Sequence, residues 1–199
     1  MDTILSLKDV SISFGGVHAV NHVSFDIGRG ELVGLIGPNG SGKSTTVNLI
    51  SGVYRVDGGE IYFKGEKIPT NMDIVHRSRL GMGRTFQTPK PFGNLTVFDN
   101  VLSIALLKDG FREAVAKTND VLERTRLASV QDMLSSKLPI ERRKWLDLAR
   151  ILVTGADFIM LDEALAGLNS AEMDESLELV RQINDDGVTI LFIEHIMRA

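Results

Sequence analysis

The stretch Gly37-Pro38-Asn39-Gly40-Ser41-Gly42-Lys43-Ser44-Thr45 constrains this chain more than any other. It satisfies the P-loop pattern of two glycines, a lysine and a hydroxyl residue. Glu31-Leu32-Val33-Gly34-Leu35-Ile36 before it reads as a buried strand, and Ser44 to Ile50 after it as a helix that stops near Gly52. Strand, glycine loop and helix N-terminus together form a phosphate cradle, because free backbone N–H groups and the helix dipole converge on one anion. Gly40 and Gly42 let the backbone wrap closely with no Cβ in the way. Lys43 is placed to reach the β- and γ-phosphates, and the Ser44 hydroxyl to bind Mg²⁺. Elsewhere these glycines would make an ordinary turn; between a strand and a helix they imply a nucleoside-triphosphate site.

The rest of the chain supplies a fold around that loop. Ile4 to Phe14 and Val23 to Ile27 read as strands, with Gly15-Gly16 and Gly28-Arg29-Gly30 as turns. Gly58 to Gly65 alternates in polarity like a hairpin arm, and Leu80 to Gln87 reads as a strand broken by Thr88-Pro89-Lys90-Pro91. From Leu95 to Val153 the pattern is mostly helical, with Phe111, Val115 and Leu122 on one apolar face and Trp145, Leu148, Ala149 and Leu152 on another. Phe158 to Leu161 and Val188 to Ile193 are buried strands on either side of a helix. Asn169 and Glu172 would cap that helix, Met173, Leu177, Val180 and Ile183 would line it, and Asp186-Gly187 would stop it. Apolar strands alternating with helices predict an α/β fold with a mainly parallel sheet. At 199 residues, 43% hydrophobic and 24% charged, the chain can bury a core; its net charge of −4 gives no reason to expect nucleic acid as a partner. The absence of cysteine removes disulfides, thiolate zinc sites and cysteine nucleophiles. No run is apolar enough to span a bilayer, and Met1-Asp2-Thr3 does not open a signal peptide, so a cytoplasmic protein is expected.

Phe158-Ile159-Met160-Leu161-Asp162-Glu163 offers what a P-loop lacks. Two carboxylates emerge at the end of an apolar strand: Asp162 suits Mg²⁺ held through water, and Glu163 is the candidate general base for the attacking water, a role worth roughly 10²–10⁴ in rate. By themselves they could be solvated residues at a strand exit. His195 follows the next apolar strand at the same expected sheet edge, where it could meet the γ-phosphate or be a structural histidine. Gln87 is a neutral candidate for Mg²⁺ or the water.

Taken in order, the P-loop, Gln87, Leu161-Asp162-Glu163, Ala166-Gly167-Leu168-Asn169 and His195 resemble an ATP-binding-cassette (ABC) ATPase. Phe14-Gly15-Gly16-Val17-His18-Ala19-Val20, Val33 to Gly40, Gly83 to Gln87 and Asn94 to Val101 are similar to the importer ATPases for branched-chain amino acids. The resemblance runs from about Leu5 to His195. It implies a P-loop NTPase core with an antiparallel β subdomain (residues 1–94 and 154–199) and a helical subdomain (95–153). It further implies ATP and Mg²⁺ as cofactors, hydrolysis driving solute uptake, transmembrane permease subunits as partners, and a second ABC ATPase subunit, identical or different. The chain would lie peripherally on the inner face of the membrane, held there only by the permease. By the same resemblance Phe14 stacks on adenine with Val20 beside it, although Phe14 also suits a core, and Gln87 senses Mg²⁺ and links core to helical subdomain. Pro89 to Leu95 would lie near the groove for the permease, and Ala166 to Asn169 would cross to the other subunit.

The chain departs from the family at the signature loop, where a Ser and a Gly normally clamp the γ-phosphate of the opposite subunit. Leu138-Pro139-Ile140-Glu141-Arg142 falls there, with Pro139 in the Ser position and Glu141 in the Gly position. Proline has neither hydroxyl nor N–H, and a carboxylate opposes an anion at a helix N-terminus. Arg142-Arg143-Lys144 could offset that charge, but such a run reads more simply as a solvated helix face. Ala164 stands where the family usually has Pro, and the usual domain continues beyond His195 with more sheet and helix. Two other readings are a regulatory cassette with weak hydrolysis that needs a partner cassette, and a non-transport ABC ATPase of DNA repair or translation.

Overall fold

The structure, a computed structural model, describes residues 2–86 and 88–194. Two strands, β1 (Thr3–Phe14) and β2 (Val17–Gly28), pair antiparallel through the Gly15-Gly16 turn, where both glycines have positive φ. β2 thus begins at Val17, well before the expected Val23. β1 also pairs with β4 (Gly58–Phe63), and β4 with the short β5 (Glu66–Lys67), giving an antiparallel sheet of order β2-β1-β4-β5. A second, parallel sheet runs β3 (Leu32–Ile36), β8 (Thr189–Glu194), β7 (Phe158–Asp162) and β6 (Met82–Arg84). β7 and β8 are buried at every position, as expected of apolar strands with both faces covered. β3 differs from expectation: it is an edge strand, and Leu32 and Ile36 are 44% and 59% exposed. The expected strand from Leu80 shrinks to Met82–Arg84 because a short helix, α2 (Ile74–Arg79), precedes it, capped by the Asp73 carboxylate on the His76 N–H.

The described residues up to Arg84, with Asp157–Glu163 and the chain from Asn184, form one compact unit. Both sheets and α1 (Lys43–Ser51) share its core, which includes Leu5, Ile27, Val47, Ile50, Phe158 and Leu191. Phe63 and Phe158 join the two sheets with ring centroids 6.2 Å apart. Phe158 is fully buried, so truncating it to alanine should cost about 3–5 kcal/mol.

Thr85–Ala156 and Ala164–Ile183 form the second unit. It contains α3 (Val97–Ala105), α4 (Phe111–Arg124), α5 (Ile140–Leu152) and most of α6 (Ser170–Asp185), with 3₁₀ turns at Ala128–Val130 and Ser135–Lys137. The grouping of α6 has a visible cause: buried Trp145 of α5 donates from Nε1 to Ser176 Oγ of α6 at 3.1 Å. On α4 the buried face is Ala114, Thr118, Val121 and Leu122; Phe111, expected on it, is 67% exposed in the first turn. α5 buries Trp145, Leu148, Ala149 and Leu152 as its spacing predicts. The capping box of α6 is reciprocal, Asn169 N–H to Glu172 Oε2 and Glu172 N–H to Asn169 Oδ1, each 3.0 Å.

Candidate nucleotide site

The phosphate loop leaves β3 at Gly37 and enters α1 at Lys43. Gly42, the N-cap, has φ 91°, and a Cβ there would lie 2.4 Å from the Ala19 carbonyl oxygen of β2. Only glycine fits, for both conformation and space. No side chain caps α1 and its first turn holds no acid, so the helix offers its N-terminus to an anion. Buried Lys43 donates from Nζ to the carbonyls of Gly37 (2.6 Å) and Pro38 (2.9 Å), the ammonium folded over the loop that would hold the phosphates. Ser44 is exposed beside it.

Parallel pairing aligns Ile36 with Glu194 and Ile193 with Asp162, so the P-loop and the two carboxylates leave the same edge of one sheet. Asp162 is buried and accepts from Arg84 Nη2 at 2.9 Å; the two side chains are only 10% and 9% exposed. Arg84 Nη1 also donates to Asn48 Oδ1 (2.6 Å) and Ser51 Oγ (3.0 Å) on α1, fastening the P-loop helix to the strand exit that carries Asp162. Sequence reasoning missed this arginine as a site residue, although it lies in a stretch that resembles the family. Glu163 has φ 51°, a left-handed backbone that costs a non-glycine residue about 1–2 kcal/mol, and its N–H donates to Ile193 O at 3.0 Å. That turn takes the chain off the sheet at the residue expected to act as base.

Phe14 ends β1 with 45% of its surface exposed and meets Tyr54 edge-on, centroids 5.2 Å apart at 65°. Its ring is therefore available to a planar apolar group rather than spent in the core. Val20, expected beside it, is only 4% exposed and belongs to the core, so it presents little surface for a ring. Gln87 and His195 lie outside the described residues.

In the second unit, Pro139 is the N-cap of α5 and contributes no side-chain hydrogen bond. Glu141 does not project from the helix end; it is buried, and among the described residues Oε1 meets no hydrogen-bond partner. Burial raises its pKa, the charge of Glu175 raises it further, Arg142 opposes and Glu172 adds a little. The basic run is not a solvated face. Arg142 donates to Arg126 O (2.6 Å) and lies over the Trp145 ring; Arg143 donates to Leu138 O (2.8 Å) and Ser136 O (2.7 Å); Lys144 donates to Ala164 O (2.9 Å) and Ala166 O (2.6 Å).

A P-loop and a carboxylate pair at one edge of a parallel sheet define a nucleoside triphosphatase. The family description named ABC transporter matches residues 20–166, and the chain belongs to that family, whose ATP-binding cassettes are ATPases coupled to transport. The High-affinity branched-chain amino acid transport ATP-binding protein LivG of Escherichia coli (strain K12) is 35% identical over 212 residues, covering 98% of this chain and 83% of the relative. The crystal structure of the ADP conformation of MJ1267, an ATP-binding cassette of an ABC transporter, superposes with a TM-score of 0.89 at 30% identity, covering 99% of this chain and 83% of that one. A dimeric post-hydrolysis state of the ATP-binding cassette MJ0796, bound to ADP and Pi, gives 0.81 at 25% identity, covering 98% and 89%. Among the described residues no helix is long and apolar enough to cross a membrane.

Proposed function

We propose that this chain is the ATP-hydrolysing subunit of an importer for branched-chain amino acids, working through separate permease subunits at the inner face of the membrane. The observation that carries the reading is the shared sheet edge of the P-loop, Asp162 and Glu163, together with the likeness to LivG. Gly37 to Thr45 receive the phosphates, Phe14 receives the adenine, and Lys43 swings from its own loop carbonyls to the γ-phosphate, where it offsets developing charge. Glu163 takes the proton of the attacking water, and His195 and Gln87 help orient that water. Mg²⁺, when bound, neutralises phosphate oxygens; the exposed Ser44 hydroxyl and the Asp162 carboxylate, with Gln87, are the hard oxygen donors that suit it. Because Pro139 brings neither hydroxyl nor N–H to the start of α5, and the acidic Glu141 lies in its first turn, a second, different cassette supplying the missing γ-phosphate clamp is favoured over a symmetric pair.

The test uses the full-length chain. Cells lacking it should lose uptake of labelled leucine, and wild type but not Glu163→Gln should restore it. Purified Glu163→Gln protein should bind ATP with Mg²⁺ yet release phosphate about 100-fold or more slowly than wild type. Its solution mass should double with ATP only if a trans site forms between two copies. Normal leucine uptake without the chain, or full phosphate release by Glu163→Gln, would refute the reading.

A further inference from the structure

We infer that Lys144 is a positioning residue for Glu163, acting through the loop of residues 164–166; this rests on the reading of Glu163 as the base. Residues 164–167 form a turn that starts one peptide bond after Glu163. Ala164 and Ala166 bring no polar side chains of their own, and Ala164 lacks the φ restraint that a proline would give. The restraint comes instead from α5: Lys144 Nζ donates to Ala164 O at 2.9 Å and to Ala166 O at 2.6 Å, closing both carbonyls with one ammonium. Hydrogen bonds from an ionised donor are shorter and roughly twice as strong as neutral ones, so this is a strong tether on the turn. It acts where a tether matters. Glu163 sits at φ 51°, and its N–H is bound on the β8 side, to Ile193 O at 3.0 Å. The peptide leaving Glu163 is therefore flanked by two held neighbours, the peptide before it bound to Ile193 O and the one after it bound by Lys144. Loss of the second hold lets the backbone relax from the left-handed turn and the carboxylate drift from the water it must reach. The neighbouring cations are occupied elsewhere, Arg142 on Arg126 O and Arg143 on Leu138 and Ser136, so neither can replace it.

The experiment measures phosphate release against MgATP concentration for the full-length chain in its assembled transporter, as wild type, Lys144→Met and Lys144→Arg, each with a melting scan. Lys144→Met should lower kcat about 10- to 100-fold, the scale of a misplaced reacting group. Its KM and its affinity for a fluorescent ATP analogue should stay within about twofold of wild type. Lys144→Arg, which keeps two donors, should recover most of the rate. In a Glu163→Gln background Lys144→Met should have no further effect, because its influence passes through Glu163. If Lys144→Met does not fold, Lys144→Gln, which keeps one amide donor, is judged by the same criteria. Unchanged kcat, a loss that persists in full on Glu163→Gln, or a loss matched by weaker ATP binding would overturn the inference. A wild-type chain that releases no phosphate would overturn the ATPase reading beneath it as well.

Discussion

Arg84→Met removes the cation from a carboxylate that is 10% exposed, and with it the fastening of α1 to β7. Breaking a buried ion pair by deleting one partner costs about 3–5 kcal/mol, because the remaining charge keeps its desolvation penalty without the compensating attraction. In a chain of this size each kcal/mol moves the melting point by about 2–4 °C, so the variant should melt about 6–20 °C below wild type. The penalty lies in the desolvated carboxylate's loss of its guanidinium more than in the lost bond. The double variant Arg84→Met/Asp162→Asn should therefore recover a substantial part of the stability, although not the phosphate chemistry that needs the Asp162 carboxylate. Differential scanning calorimetry of the two singles and the double at one pH completes the cycle. An Arg84→Met protein that melts within about 2 °C of wild type would refute the reasoning, since it would show that the pair carries less than about 1 kcal/mol. A double variant no more stable than Arg84→Met would locate the cost in packing instead of charge.

Gly42→Ala must place a Cβ 2.4 Å from Ala19 O at φ 91°, so it should lose about 1–2 kcal/mol from conformation alone, more from the clash, and most ATP binding; a melting curve and a nucleotide titration read both. Phe14→Ala deletes an exposed ring whose visible partner is Tyr54, so stability should fall by no more than about 1.5 kcal/mol while ATP affinity falls by about 1–3 kcal/mol, measured by calorimetric titration. Glu141 has a raised pKa, from burial first and Glu175 second, so the folded state binds its proton more readily than the unfolded chain does. Its favourable contribution is present in acid and is lost as pH rises through the folded pKa. Glu141→Gln should accordingly melt higher than wild type at pH 7.5, with the gap closing as pH falls below the ordinary carboxylate range; a constant gap across that titration would contradict the assignment.

What the sequence disclosed depended on how local each feature is. The strand-loop-helix of the P-loop, the buried β7 strand with two carboxylates at its exit and the Asn169–Glu172 capping box are written in residues close along the chain, and each of these local structures forms. Arg84 was opaque because its role exists only once residues 36 and 78 positions away come to meet it. The Arg142-Arg143-Lys144 run has the local pattern of a solvated face, and only tertiary structure brings it the carbonyls of Arg126, Ser136 and Ala164. α2 is too short to show a hydrophobic period, and its one signal was the Asp73 cap. The exposure of Leu32 and Ile36 follows from strand order, which no window of sequence displays. In sequence Glu141 has the look of a charge aimed at an anion; nothing in its neighbours along the chain says that it turns inward.

The order β3-β8-β7 has a metric consequence. One strand stands between the P-loop and the carboxylates proposed to serve the metal and the water. Neighbouring strands are spaced about 4.7–4.9 Å, so the two halves of the chemistry are set about 9.5 Å apart at the backbone. That span is ruled by peptide hydrogen bonds, and it can change only in whole strands. Side-chain substitution can retune what reaches into the gap, but it cannot widen or narrow it. The enzyme's calipers are cut into its main chain, and side chains set only the tips.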